Sequence, residues 1–312
     1  MKPNMSIITA AYNEAENLLL LIREITRVMK SIKKTYELII VDDGSVDNSF
    51  SILLQLKNKY PQLKIIQLRR NFGQSAALDA GIKHSQGEIL VTLDADGQND
   101  PQDIKKMLDK LQNDKVDCVC GWRQKRQDSF SKKIISKGAA FLGNLLVNPG
   151  IHDSGCTLRV YRRQCFQDLH LYGEMHRMIP ALLRWRGFTL TEIKVNHRPR
   201  KHGQTKYNWR RIINGLTDMV NIWFWRKYAS RPMHIFGFIG VVLILVGCLL
   251  LTYLVYARYF LAYSLADKIW PLVGFFTVFT GVQFFVFGIL ASIIIQNRDQ
   301  KGFYLVKRIV GK

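Results

Sequence analysis

Four short segments of this 312-residue chain gather side chains that can bind charge. Asp94-Ala95-Asp96-Gly97-Gln98 places two carboxylates one residue apart, with a carboxamide two residues further on. Hard divalent cations such as Mg2+ or Mn2+ take one or two carboxylates and complete their shell with phosphate oxygens and water. Val41-Asp42-Asp43-Gly44-Ser45 sets two acids before turn-forming residues. It fits a helix-capping turn or a contact to the base or ribose of a nucleotide. Tyr12-Asn13-Glu14 and Asn71-Phe72-Gly73 complete the set.

The elements that must position these segments can be read from hydrophobic pattern. Ser6–Ala10, Tyr36–Val41, Lys64–Leu68, Glu88–Leu93 and Val116–Cys120 are short runs rich in Ile, Val or Leu, as expected of buried strands. Amphipathic stretches over Glu14–Lys30, Asp47–Tyr60, Gly73–Ser85 and Pro101–Gln112 alternate with them. Pro101 after Asn99-Asp100 marks a helix start. Alternating units of this kind predict an α/β fold with a mostly parallel sheet and helices on both faces. Such sheets bind ligands at the carboxyl ends of their strands. Three of the four segments directly follow a predicted strand, so they should meet on one rim.

The net charge of +21 calls for an anionic partner, whether phosphate-bearing substrate or membrane surface. No nucleic-acid reading motif is present, so nucleic acid is not expected. The five cysteines contain no C-x-x-C pair. Zinc is therefore not expected, and Cys118 and Cys120 read as small core residues of one strand in a reducing compartment. The apolar run before Tyr12 is too short for a signal peptide. His176 opens a predicted helix containing Met178, Ile179 and Leu182 and reads as structural.

Beyond about residue 230 the chain turns apolar. Ile235–Ala257 and Ile269–Ile295 carry no charged residue over 23 and 27 residues. Each exceeds the roughly 20 residues that cross a hydrocarbon core. Lys and Arg cluster on the outer flanks of the pair, so both flanks are expected in the cytoplasm. Residues 207–232, rich in Trp, Arg and Lys, predict an interfacial amphipathic helix. The expected organisation is a cytoplasmic catalytic domain over 1–206, the interfacial segment over 207–232, two transmembrane helices over 233–296 joined by a short outer loop near 258–268, and a basic cytoplasmic tail over 297–312.

Taken together, the four segments resemble family-two glycosyltransferases of the GT-A (Rossmann-like) fold. The chain is most similar to the membrane-anchored polyprenyl-phosphate branch, like the dolichol-phosphate mannose synthases. The resemblance continues in Gly121-Trp122-Arg123, in Asp153-Ser154-Gly155-Cys156-Thr157-Leu158-Arg159, and in Arg200-Lys201-His202-Gly203-Gln204-Thr205-Lys206. Ala10 stands where the family usually has proline.

The resemblance implies a role for each matching position. Ala10, Tyr12, Glu14, Val41, Asp43, Asp94, Ala95, Asp96 and Arg123 would line the nucleotide. Asp96 and Gln98 would hold Mg2+ or Mn2+. Lys132, Ser154, Arg159, Arg200 and Lys206 would face the acceptor phosphate, and Arg200–Lys206 would form a lid. Asp94, Asp96, Arg123, Arg200 and Lys206 would carry catalysis. The implied reaction is inverting transfer of one hexose or N-acetylhexosamine from a nucleotide diphosphate sugar to undecaprenyl or dolichyl phosphate. A UDP-sugar is the first expectation and GDP-mannose the second. A homo-oligomer at the inner (plasma) membrane is also implied.

Charge logic agrees with this reading. A phosphate monoester is mostly dianionic at pH 7, so the acceptor needs little help from a base. The enzyme must offset anionic repulsion and orient the attack. Two alternatives were a processive polysaccharide synthase and a non-catalytic membrane-tethered anion-binding protein. The first usually carries Q-x-x-R-W, but Ala181 stands three residues before Arg184-Trp185. The intact acids argue against the second.

Overall fold

In the computed structural model, residues 2–123, 150–199, 232–261, 268–296 and 306–311 are described. The first half alternates as its pattern dictates. In chain order come β1 (Met5–Ala11), α1 (Ala15–Ile32), β2 (Tyr36–Asp42), α2 (Ser49–Lys59), β3 (Leu63–Leu68), α3 (Gln74–Lys83), β4 (Ile89–Asp94), α4 (Asp103–Asn113) and β5 (Cys118–Trp122). Each lies within about two residues of its predicted bounds, the usual scatter of element ends.

β1 is buried along nearly its whole length, including Met5, Ile7, Ile8 and Ala11. A strand covered on both faces needs no polar alternation. α1 explains half of that cover. Leu18, Leu21, Ile22, Ile25, Val28 and Met29 recur at helical spacing and are buried. The helix stops at Lys33, which is left-handed at φ 56°.

Three further strands lack a clear periodic signal: β6 (Arg159–Arg162), β7 (Leu190–Lys194) and β8 (Val306–Val310). The predicted helix at His176 is a 3-10 turn over Met175–Arg177 followed by α5 (Ile179–Trp185). The sheet order is β7-β5-β6-β4-β1-β2-β3-β8. β1 pairs in parallel with β2 and β4, β2 with β3, and β5 with β7. β6 runs antiparallel between β4 and β5, and β8 antiparallel along β3.

These directions set the rim. Ala10 pairs with Asp94 and Ala11 with Asp42, so the carboxyl ends of β4, β1 and β2 stand in one row. β1 lies between the two others, where the strand order reverses and a crevice opens. Because β6 is antiparallel to β4, the segment before it, residues 153–158, returns to the same rim. The carboxyl ends of β5 and β7 arrive there too.

The chain forms two units, residues 1–220 with 301–312, and residues 221–300. The second unit contains α6 (Pro232–Phe260) and α7 (Trp270–Gln296). Stretches of 28 and 24 residues in them are long and apolar enough to cross a membrane. The helices pack antiparallel through glycines. A Cβ on Gly240 would meet the Gly281 carbonyl oxygen at 2.7 Å, and one on Gly281 would meet that of Gly240 at 2.7 Å. Close backbone approach of this kind is how apolar helices associate where lipid removes the hydrophobic drive. The predicted interfacial helix and lid fall outside the described residues. The expected basic tail contains β8, which covers the β3 edge and packs Val310 against the core.

Candidate active site

Asp94 ends β4 and keeps an edge open to solvent. Its Oδ1 accepts from Gln74 Nε2 at 2.7 Å, and its own N–H donates to Asn99 Oδ1 at 3.0 Å. Burial pushes the Asp94 carboxyl above its ordinary pKa, and the neighbouring Asp96 charge adds to the rise. Hydrogen bonds from Thr157 and Gln74 and the Arg123 charge oppose it. Asp96 is buried in the turn that follows, where its Oδ1 accepts from Gln98 N–H at 3.1 Å. Gly97 permits that turn with φ 73°.

Arg123 follows β5. Its guanidinium grips Asp153 through Nε to Oδ2 at 2.7 Å and Nη2 to Oδ1 at 2.9 Å. Asp153 Oδ1 also accepts from Gly155 N–H. The forked pair thus shapes the loop before β6 and leaves Arg123 close enough to feel the Asp94 charge. Within that loop Ser154 turns its carbonyl to Arg159 Nη2.

Arg159, expected at the acceptor phosphate, is 1% exposed and donates from Nη1 and Nη2 to the carbonyls of His176 and Ser154. Its place on the inward side of β6 buries it, and it holds the loop that carries Ser154. Val41 and Ala95 are likewise buried, so their side chains face the interior and only main-chain atoms remain for a nucleotide. Asp43 is 3% exposed, and its two oxygens accept from the N–H groups of Phe72 and Gly73 at 2.8 and 2.9 Å. It therefore builds the start of α3. Glu14 Oε2 accepts from Asn17, while Ala10 and Tyr12 stay partly exposed on the rim. Lys132, Arg200 and Lys206 lie outside the described residues.

The structure adds residues that spacing did not single out. Gln74 and Thr157 reach Asp94 from α3 and from the loop before β6. Arg198, after β7, donates its N–H to the Gln98 carbonyl and forms ion pairs with Glu24 and Asp100 at 2.7 and 2.8 Å. His176 is buried and bonded to Ser75, in keeping with a structural reading. Asp153 carried a motif signal without a role. Gln74 and Arg198 had none, because only the tertiary fold sets them beside the acids.

A cation fits here only with help. Among the described residues no three His, Cys, Asp or Glu side chains form a preformed cage. Asp96 with a carboxamide donor matches a site completed by phosphate oxygens and water.

Comparison with known proteins is consistent with this arrangement. The glycosyl transferase family 2 sequence model matches residues 6–169. The dodecaprenyl-phosphate galacturonate synthase of Rhizobium johnstonii is 34% identical over 316 residues, covering 98% of this chain and 92% of that protein. The undecaprenyl-phosphate 4-deoxy-4-formamido-L-arabinose transferase of Salmonella choleraesuis is 33% identical over 292 residues, covering 93% and 88%. Among solved structures, glucosyl-3-phosphoglycerate synthase from Mycobacterium tuberculosis, with Mn2+, UDP-glucose and phosphoglyceric acid, matches with TM-score 0.55 at 14% identity, over 72% of this chain and 79% of that one. Mannosyl-3-phosphoglycerate synthase from Rubrobacter xylanophilus matches with TM-score 0.56 at 16% identity, over 72% and 75%. These structural matches show the GT-A type of fold.

Proposed function

Because the chain belongs to glycosyl transferase family 2, we propose that it transfers one sugar from a nucleotide diphosphate sugar to a polyprenyl phosphate at a membrane. The observation that carries this reading is the meeting of Asp94, Asp96 and Arg123 on one rim, in a chain that matches two polyprenyl-phosphate sugar transferases over nearly its full length.

In this reading Ala10, Tyr12, Glu14 and the main chain at Val41 and Ala95 seat the nucleotide. Asp43 acts indirectly, by fixing the Phe72-Gly73 turn that closes the pocket. Asp96 and Gln98 would hold Mg2+ or Mn2+. When bound, the cation would neutralise charge on the departing diphosphate. Asp94 orients the donor beside it. Arg123 brings positive charge to the same place, and its grip on Asp153 fixes the Ser154 loop where the acceptor phosphate approaches. Lys132, Arg200 and Lys206 are assigned to the two phosphates. The acceptor is already dianionic near pH 7, so the side chains supply orientation and charge, and a general base is not required. Attack from the face opposite the diphosphate inverts the anomeric centre.

We further assign α6 and α7 to the bilayer. They form an antiparallel pair, and the chain returns from α7 to pair β8 with β3 of the catalytic sheet. Both ends of the hairpin therefore belong on one side, and the flanking Lys and Arg assign that side to the cytoplasm. A UDP-sugar is the preferred donor and GDP-mannose the second, and a homo-oligomer is the preferred assembly.

The test uses the purified full-length chain with undecaprenyl phosphate and a panel of UDP-sugars plus GDP-mannose, with products read by mass. One donor should yield a lipid-monophosphate sugar, and EDTA should stop the reaction until Mg2+ or Mn2+ is restored. A panel without product, or indifference to EDTA, would overturn the reading.

A further inference from the structure

The acids of the rim are held in two ways. Asp43 and Asp96 accept main-chain N–H groups, from Phe72 and Gly73 and from Gln98, and Asp42 accepts one from Ser45 besides the Gln67 side-chain amide. Their orientation follows from the turns that carry them. For Asp94 the described hydrogen bond to the carboxylate comes from a side chain, Gln74, while the nearby Thr157 hydroxyl donates to Asn99 Oδ1 at 3.2 Å. A carboxylate held by side chains can be reoriented by one substitution that leaves the backbone alone.

Gln74 is well placed for that task because its own backbone is anchored. It is the first residue of α3, next to Gly73, whose N–H is fixed by Asp43. On its other side the buried Ser75 Oγ accepts from His176 N–H at 3.0 Å and lies 2.9 Å from His176 Nδ1. Two flanking anchors fix the backbone from which Gln74 delivers its amide. That amide meets Asp94 Oδ1 at 2.7 Å.

We propose that Gln74 is a positioning residue for sugar transfer, which holds Asp94 toward the donor and away from the cation site at Asp96 and Gln98. This rests on the function proposed above. With Oδ1 engaged by Gln74, Asp94 serves the donor. Without it the carboxylate can turn and add a second negative ligand beside Asp96. A site with more carboxylate binds a divalent cation more tightly, but its geometry for transfer is lost.

Gln74→Met keeps the length of the side chain and removes the donor. In the full-length protein, kcat should fall about tenfold to a hundredfold, the range seen when supports of site groups are lost. The KM for polyprenyl phosphate should stay within about twofold, because the acceptor's contacts are untouched. Mn2+ binding without substrate, followed by the paramagnetic signal of the free ion, should tighten roughly threefold or more. Gln74→Leu, which also lacks the donor, should move both readings in the same direction, and serves if Gln74→Met fails to fold. A role confined to packing would leave Mn2+ binding unchanged or weaken it, and that result would overturn the proposal. So would an unchanged kcat. If the parent chain transfers no sugar while the Mn2+ shift appears, the functional reading fails and the hold of Gln74 on Asp94 stands.

Discussion

At the residue scale, the proposed roles of Asp96 at a cation and of Arg123 as a fixed positive charge can each be tested by one substitution. Asp96→Asn keeps the shape of the turn while removing the charge that a divalent ion needs. It should reduce transfer by at least about a hundredfold with little change in melting temperature. Activity within tenfold of the parent would refute Asp96 as a ligand. Asp153 is different because its loss strands a partly buried guanidinium. Asp153→Ala should cost about 3 kcal/mol, in line with breaking a buried pair from one side, and lower the melting temperature by roughly 6 to 12 °C. A shift under about 2 °C would show that Arg123 finds solvent or another partner. Asp94 and Asp96 were singled out by residue type and spacing, and Arg123 by resemblance to the family. Arg159 was expected at the acceptor phosphate by resemblance to the family, and a sequence does not show that its strand faces inward.

At the element scale, Asp47 ties two helices. Its Oδ2 accepts from Ala15 N–H at the start of α1 and its Oδ1 from Ser49 N–H at the start of α2. Burial works to raise its pKa, but the hydrogen bonds from Ser49 and Ala15 outweigh burial and hold it below the ordinary 3.8. A lowered carboxyl stabilises the fold above its unfolded pKa, and that contribution is lost as pH falls through the folded value. Asp47→Ala should therefore destabilise by about 1 kcal/mol at pH 7, with the difference from the parent closing below about pH 3.8. Equal stability of the two proteins at pH 7 would refute the shared cap. The α6–α7 seam makes a second demand. Gly281→Leu would drive a side chain into the Gly240 backbone and should separate the helices. Cysteines introduced at positions 236 and 288, where a Cβ at 288 stands 3.2 Å from that of Phe236, should cross-link in the parent, and the added leucine should abolish the link. The strands and helices up to β5 were legible because burial on both faces, or on one stripe, leaves a period in the sequence. β6, β7 and β8 are short and carry charged residues, so their pairing comes from what they lie beside.

At the scale of the whole molecule, β8 has a structural duty that its basic composition hides. Ending the chain at residue 305 removes β8, keeps both helices and uncovers the β3 edge, a template for unwanted pairing. The truncated protein should melt lower and aggregate sooner. Because Gln67 pairs with Arg308 and donates to Asp42 at 3.4 Å, UDP binding should weaken as well. Unchanged melting and unchanged UDP affinity would show that the edge is protected in another way.

The sequence by itself determined the fold class, the two long apolar helices, the acidic rim and the family, since each rests on a local period or a local run of residue types. The tertiary structure decided which acids are held by main chain and which by side chains, and that Arg159 is buried against the Ser154 carbonyl. It also brought Gln74 and Thr157 to Asp94 and returned the tail to the sheet as β8. The physical reason is that burial and hydrogen-bond partnership depend on contacts between residues far apart in the chain, and no spacing within one segment encodes them.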